Sequence, residues 1–508
     1  ESKKDKNGIQ KESGQDLLRR KLTGYVSYIR GENPYTFPFR IYPEVFDETK
    51  ALKAITYPKK QMNNKDIDKG VEIVPVYMNN IGTYQNEIYT KIMSETEEKM
   101  QMEGTNMPNF EELDSFGYTL LSAPLQCLNI AYPVESDSLE NNIGSAGLRD
   151  IMNQKIKKTP YMLRYGFEYK QNVLEKYGNI FSMDKIAEYS TKMHSICQSI
   201  KKSTGIIMIY SQYIDSGVVP MALALEEMGF SRFGTSSHTK SLFNNPPSER
   251  IDSLTMETQS EYKGDKFVPA RYVMITGDKY FSPNNAADLK EVTSPENRNG
   301  EKIKVILITK AAAEGLDFKN VRQIHILEPW YNLSRTEQII GRAVRNLSHC
   351  ALPFEDRNVE IYLHGTKLQE EEKESVDLYV YRYAEKKAKL IGNVTRLMKE
   401  TAVDCILNIN QTNLSLEKLN ESSQGQEIEL RLSSKPDESI QYKVGDRPYT
   451  AICDYMDNCN FVCSPNEKID EKQVNKNNYN EDYAKINYPI IVKRIRELFK
   501  EKSFYKRD

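Results

Sequence analysis

Between residues 183 and 365, short apolar runs alternate with segments of helical composition, and this alternation restricts the fold more than any other feature of the chain. MDKIAEYSTKMHSICQSIKKS reads as a helix, GIIMIYS as a buried strand and VVPMALALEEMGF as a second helix. The rhythm continues through RYVMITG, the helix and turn PNNAADLKEVTSPENRNG, the strands KIKVILIT and QIHILEP, the helix SRTEQIIGRAVRN and a closing strand RNVEIYLHG. The strands are continuously apolar, so they are expected to be buried on both faces. That pattern belongs to a parallel sheet whose crossover helices cover it, an α/β architecture.

The chain has 508 residues, room for roughly two to four domains. Residues 1–182 read as a connector and accessory region, in which GENPYTFPFRIYPEVF is extended, GVEIVPVYM is a strand and TYQNEIYTKIMSETEEKMQMEG a helix. The α/β lobe follows over 183–365 and a helical extension over 366–411. Residues 412–443, rich in Ser, Gly, Gln and Pro, read as a linker. Residues 444–508 form a cysteine-containing and helical terminal region.

The formal charge is −2, which excludes a protein that coats nucleic acid through a uniformly basic exterior but allows a locally positive groove. No stretch approaches the roughly 18 to 20 apolar residues of a spanning helix, and the start ESKKDKNGIQ carries no secretory signal, so no membrane partner and a cytosolic setting are expected. The seven cysteines are few and odd in number, which fits a reducing compartment better than a disulfide framework. Three of them, Cys453, Cys459 and Cys463, lie in CDYMDNCNFVC. They are candidate thiolate ligands for a structural Zn2+, with no fourth ligand nearby unless Cys405 folds back; the alternative is ordinary buried thiols.

Catalytic potential concentrates in EQIIGRAVR, residues 337–345. Helical spacing puts Gln338, Arg342 and Arg345 on one broad face, and Gly341 permits close backbone approach. Two guanidiniums and an amide so placed can stabilise charge on a transferring phosphoryl group, with Arg345 as finger, Arg342 on the terminal phosphate and Gln338 orienting that phosphate or the attacking water. The alternative is a solvated helix with surface arginines. Upstream, the strand KVILIT opens into KAAAEGLDF, where Gly315 suits a tight turn and Asp317 can accept from a ribose hydroxyl or fix its loop.

This order and spacing resemble the fifth and sixth conserved motifs of superfamily 2 helicases, in the second of their two RecA-like lobes. GIIMIYSQYIDSGVVPMALALEEMGF, the segment from SPENRNG to EPWYN, EQIIGRAVRNLSHCALPFEDRNVEIYLH and LTGYVSYIRGENPYTFPFRIYP look like helicases of large cytoplasmic DNA viruses, such as the poxvirus early transcription factor small subunit and its larger African swine fever virus relative. The resemblance spans about residues 17–45 and 183–365. It implies a RecA-like second lobe with an accessory amino-terminal region and a mainly helical carboxy-terminal extension. Gly315, Asp317 and Gly341 are then expected on the nucleotide side. Ser211, Gln212, Thr309 and Lys310, at strand ends, are expected to meet the nucleic-acid backbone or else to cap their own loops. ATP and Mg2+ are the implied cofactors.

No GxxxxGKT or GxxxxGKS run and no DExH or DExD run is present. In the family these belong to the preceding lobe, so the chain is expected to be the carboxy-terminal part of a longer enzyme and inactive alone. The implied activity is a DNA-dependent ATPase or helicase of viral early transcription. Its expected partners are duplex DNA, the upstream lobe and viral transcription proteins, in host cytoplasm, viral factories and virion cores. The alternative is a noncatalytic module that recruits DNA or transcription proteins.

Overall fold

The computed structural model describes residues 13–102, 104, 120–135, 138–159, 162–234, 241–310, 315–422, 427–466 and 481–501. Its strands are β1 (Phe39–Ile41), β2 (Val76–Asn80), β3 (Met152–Thr159), β4 (Met162–Tyr169), β5 (Ile206–Tyr210), β6 (Ser231–Arg232), β7 (Arg271–Ile275), β8 (Val305–Ile308), β9 (Val321–Ile326), β10 (Asn358–Lys367), β11 (Glu427–Arg431) and β12 (Ser439–Lys443). Eight of them form one sheet in the order β1-β10-β9-β5-β8-β7-β6, with β2 also paired to β10. Every pairing within it is parallel. With helices on both faces, this is a RecA-like α/β core.

Strand alternation sends successive side chains of β5 to opposite faces. Ile207 and Ile209 pack with Met193, Ile196 and Ile200 of the helix Thr191–Lys202 and with the helix Val219–Glu227. Ile206, Met208 and Tyr210 pack with Leu333, Ile339 and Ile340 of the helix Leu333–Ile340 and with Leu378, Tyr381 and Ala384 of the helix Val376–Glu400. Neither face meets water, which is why GIIMIY has no polar phase.

Two expected boundaries are corrected. The sheet does not begin at residue 183, because β1 and β2 come from the region read as a connector. β1 pairs with Asn358–Glu360 and β2 with Leu363–Lys367, so the two lie in tandem along one edge of β10. β10 is buried along nearly its whole length, and its outer backbone groups need partners that only these distant segments supply. Residues 412–443 are not a linker either: they hold the helix Leu416–Ser422 and the antiparallel hairpin β11–β12. Leu430, Leu432, Tyr442 and Val444 bury against Phe39, Phe46 and Tyr362. The run EIELRL alternates charged and apolar residues, so its low mean hydropathy conceals a one-sided strand.

The sheet lies in a unit made of residues 29–397 and 410–461; a second unit comprises 1–28, 398–409 and 462–508. Within the second, the Asp404 carboxylate accepts from the Ser27 hydroxyl at 2.6 Å and from the Tyr28 amide at 2.9 Å. Cys405 and Cys463 are disulfide-bonded there. Among the described residues no helix is long and apolar enough to cross a membrane.

An ion pair closed to solvent links four elements of the larger unit. Lys192 Nζ lies 2.9 Å from the Asp377 carboxylate and donates to the Leu327 carbonyl at 2.9 Å. Asp377 also accepts from the hydroxyls of Thr366 at 2.7 Å and Ser375 at 2.6 Å. Removing one partner leaves a buried charge uncompensated, so Asp377→Ala is expected to lower the unfolding free energy by about 3–5 kcal/mol, and Lys192→Met with Asp377→Leu to recover most of that loss. Urea unfolding of the two variants checks this. A single-variant loss below about 1 kcal/mol would show that the pair is not structurally coupled.

Candidate nucleotide and nucleic-acid site

From β5 the chain moves outward to β6, returns through β7 to β8 beside β5, and then crosses to β9 on the other side of β5. The carboxyl ends of β5, β8 and β9 therefore frame the place where the winding reverses, the usual location of ligand sites in open parallel sheets. Ser211 and Gln212 follow β5, Thr309 and Lys310 follow β8, and Glu328 follows β9.

Glu328 organises the first of these loops. Its buried carboxylate accepts from Ser211 Oγ at 2.9 Å, the Gln212 amide at 2.5 Å and Asn129 Nδ2 at 2.7 Å. Ser211 Oγ in turn accepts from the Tyr213 amide at 3.1 Å. A Cβ at position 217 would come 2.1 Å from Ser211 Oγ, so only glycine lets the loop close. Ser211 is fully buried. Its side chain shapes the loop and does not present itself to a nucleic-acid backbone, which corrects the expectation for that residue; Gln212 is partly exposed. Thr309 is buried and extends the sheet by donating its amide to Ile275 O at 3.4 Å. Lys310 is exposed, with its ammonium 6.0 Å from the Trp330 ring centroid, while the Arg335 guanidinium stacks 3.8 Å from the same centroid.

Burial pushes the Glu328 carboxyl up to about 7, against the hydrogen bonds from Gln212, Asn129 and Ser211 and the charge of Lys192. The sequence carried a trace of this residue, a carboxylate ending the apolar run QIHIL. Its donors come from loops about 120 and 200 residues upstream in the chain, and no local pattern announces them.

The second cluster surrounds residues 337–345. The helix Leu333–Ile340 is capped by Asn332, whose side chain accepts from the Arg335 amide, and it ends at Gly341. Beyond it, Arg342 N donates to Ile339 O at 3.0 Å and Ala343 N to Ile340 O at 3.0 Å, the tighter spacing of a terminal turn. Gln338, Arg342 and Arg345 thus do not share one helical face, since only Gln338 is helical. Burial of Ala343 and Val344 against the sheet bends the chain off the helix axis. Gly341 is the helix cap at φ −62, and a Cβ there would stand 3.1 Å from Glu337 O.

Arg342 is 7% exposed, and its Nε is buried with no hydrogen-bond partner. Its carbonyl accepts from Phe318 N at 2.9 Å, tying this turn to the loop after β8. Arg345 makes the same connection with its side chain: Nε donates to Gly341 O at 2.8 Å, and Nη1 lies 2.6 Å from the Asp317 carboxylate. Gly315, two residues earlier, adopts φ +77, the turn conformation expected of it. Ala311, Ala312, Ala313 and Glu314 lie outside the described residues.

The cysteines do not form the expected Zn2+ cluster. Cys453 bonds to Cys459, and Cys463 bonds to Cys405, which also overturns the expectation of free thiols throughout. Asp454 and Tyr455, both at positive φ, turn the chain back so that Cys459 meets Cys453. Arg396 holds that turn through Asp454 at 2.8 Å and the Cys453 carbonyl at 3.0 Å. Among the described residues no group of three His, Cys, Asp or Glu is placed to hold a metal ion.

The raised Glu328 pKa has a defined sign. The fold favours the neutral carboxyl relative to its ordinary value of 4.5, so this group's contribution to stability is greatest below pH 4.5, declines as pH rises towards about 7, and is level above it. Glu328→Gln is expected to remove that decline, on the order of 1–3 kcal/mol. Urea unfolding of both proteins from pH 4.5 to 8 tests it; parallel curves would mean Glu328 does not titrate in this range.

Residues 272–347 match the helicase conserved C-terminal domain. A protein of Acanthamoeba polyphaga mimivirus named as an ATP-dependent RNA helicase is 24% identical over 97% of this chain and 42% of its own length. The African swine fever virus termination factor NPH-I homolog is 29% identical over 43% of this chain and 33% of its own length. A second mimivirus protein named as an ATP-dependent RNA helicase is 31% identical over 43% of this chain and 24% of its own. The chain spans about half or less of the length of the curated relatives it matches. Residues 272–347, which span β7 to the turn after the helix Leu333–Ile340, are thus a helicase conserved C-terminal domain, and the chain around them is similar to viral proteins named as helicases and to the termination factor homologs of African swine fever virus.

Proposed function

We propose that this chain is the second RecA-like lobe, with its extensions, of a DNA-dependent ATPase that couples ATP hydrolysis to duplex engagement or remodelling in viral transcription. The observation that carries the reading is the pair of arginines beyond the helix Leu333–Ile340. Arg342 is buried with an unsatisfied Nε, and Arg345 is held at the surface by an exposed carboxylate. A guanidinium whose Nε lacks an acceptor among the described residues has donor capacity left for a phosphate oxygen. The Arg345–Asp317 pair is 43% and 58% exposed at its two side chains, so it is worth about 0–1 kcal/mol and is readily exchanged.

ATP with Mg2+ supplies the scissile phosphoanhydride, and the upstream lobe supplies the phosphate loop and the acidic residues that organise the metal. This chain then contributes donors. Arg345 leaves Asp317 and directs its guanidinium to the charge that grows during phosphoryl transfer, Arg342 fixes a terminal phosphate oxygen, and Gln338 orients that phosphate or the attacking water. Gly315 and Gly341 set the loop and helix end that aim these groups. On the other side Gln212 and Lys310 contact the nucleic-acid backbone, with Ser211 and Thr309 holding their loops in shape. The transcription setting, with viral transcription proteins as partners in host cytoplasm and viral factories, is supported by the termination-factor name of the African swine fever virus relatives.

In the full-length protein Arg345→Ala is expected to lower steady-state turnover with saturating duplex DNA by at least about tenfold, or roughly 1.4 kcal/mol, and by up to about 1000-fold for a full finger effect. The melting temperature should stay unchanged, since the side chain fills no core. Turnover within twofold of the parent would remove Arg345 from catalysis. The chain alone is expected to hydrolyse ATP at background rates; magnesium-dependent turnover abolished by a change within it would contradict the two-lobe reading.

A further inference from the structure

The short loop closed by the Cys453–Cys459 disulfide connects two helices that cover the same face of the sheet. One side of it lies on the helix Val376–Glu400. There a Cβ at Gly392 would collide with the Asp454 carbonyl oxygen, so only glycine admits the loop. One turn further, Arg396 donates to the Asp454 carboxylate at 2.8 Å and to the carbonyls of Cys453 at 3.0 Å and Asn458 at 2.8 Å. The other side reaches the helix Leu333–Ile340. Tyr455 packs on the apolar cluster that contains Leu333, Ile339 and Ile340, and it shares a cavity wall with Thr336 and Glu337. Burial, then the nearby Glu337 carboxylate, raises the Tyr455 phenol pKa.

Local preference does not give the loop this shape. Asp454 and Tyr455 stand in succession at φ +56 and +54. Tyr449, whose amide donates to Met456 O at 2.7 Å, stands at φ +62. None of the three is glycine, and a bulky side chain in that region strains the backbone. The disulfide and the grip of Arg396 hold the strained turn closed.

The bonded sulfurs are unequally accessible. Cys453 is 1% exposed, whereas Cys459 is exposed. Both partners of the other disulfide, Cys405 and Cys463, are buried. Of the four bonded cysteines, Cys459 alone is therefore open to an attacking thiolate.

We propose that the Cys453–Cys459 bond is a thiol-responsive latch on the helix Leu333–Ile340. Oxidised, it holds Tyr455 against that helix. Reduced, it lets the loop withdraw and loosens the helix together with the turn that carries Arg342 and Arg345. The reductant is a dithiol. Its thiolate attacks Cys459 Sγ, and Cys453 leaves as a thiolate that takes up a proton. The second thiol then closes the reductant's own disulfide and releases Cys459, so that two electrons pass to the protein. The packing carries the latch by itself; only its consequence for phosphoryl transfer rests on the ATPase reading.

Hydrogen exchange of the chain during a titration with dithiothreitol at constant pH, with free thiols mapped by alkylation and mass spectrometry, tests the latch without any turnover assay. Cys453 and Cys459 are expected to become alkylatable at a dithiothreitol concentration at least about tenfold below that needed for Cys405 and Cys463. With only that bond open, amides of residues 333–345 and 449–461 are expected to exchange at least about tenfold faster, while those of β5 and β8 stay unchanged. Cys459→Ser is expected to show the fast exchange without dithiol. Tyr455→Ala, which keeps the disulfide, is expected to speed exchange of residues 333–345 and to abolish their response to dithiol. Exchange of residues 333–345 unmoved by opening of the bond, or still responsive to dithiol in Tyr455→Ala, overturns the proposal. So does prior opening of Cys405–Cys463, or complete alkylation of Cys453 and Cys459 before any dithiol is added.

Discussion

Burial of both faces of a parallel sheet is the constraint on which the other features rest. Once β5 loses water on both sides, a helix must lie on each face, and the sheet's edge strands must find backbone partners wherever the chain offers them. β1 and β2 are recruited for that purpose from the amino-terminal part of the sequence, whereas the separate hairpin β11–β12, from the carboxy-terminal part, covers β1 and β10 with side chains. Two of the enclosed charges are paired, Lys192 with Asp377 and Arg382 with Glu374 at 2.7 Å, while Lys304 and Glu226 are met by neutral hydrogen-bonding groups. Such pairs add little net stability over apolar side chains, but they penalise any packing that separates the partners.

The same enclosure shapes the candidate site. Glu328 sits at the end of a strand where water cannot reach it, so its bonds to Ser211 and Gln212 are made in a low-dielectric setting and hold the loop after β5 firmly. The contact between Arg345 and Asp317 is of the opposite kind, exposed and weak. One loop is therefore held by buried hydrogen bonds and the other by an exposed ion pair.

Much of the core was legible because its determinants are local. The helix and strand rhythm from Met183 onward survives in the structure almost element by element, and the order of the segments around Gly315–Asp317 and Gln338–Arg345 carries the resemblance to a helicase second lobe that the match over residues 272–347 supports. The misreadings share one physical origin. The helix around Gln338 stops at Gly341 because Ala343 and Val344 are drawn into the sheet core, and Ser211 turns inward because a carboxylate from β9 waits there. Neither partner is within reach of helical or strand periodicity.

What the sequence by itself determined is the layered α/β core, since hydrophobic period is a property of neighbouring residues. Tertiary structure alone decided which distant strands complete the sheet, which strand-end polar groups remain exposed, and that Cys453, Cys459 and Cys463 pair with Cys459, Cys453 and Cys405 instead of converging on a metal. Each of those outcomes depends on contacts between segments tens to hundreds of residues apart, where the burial of one group fixes the environment of another.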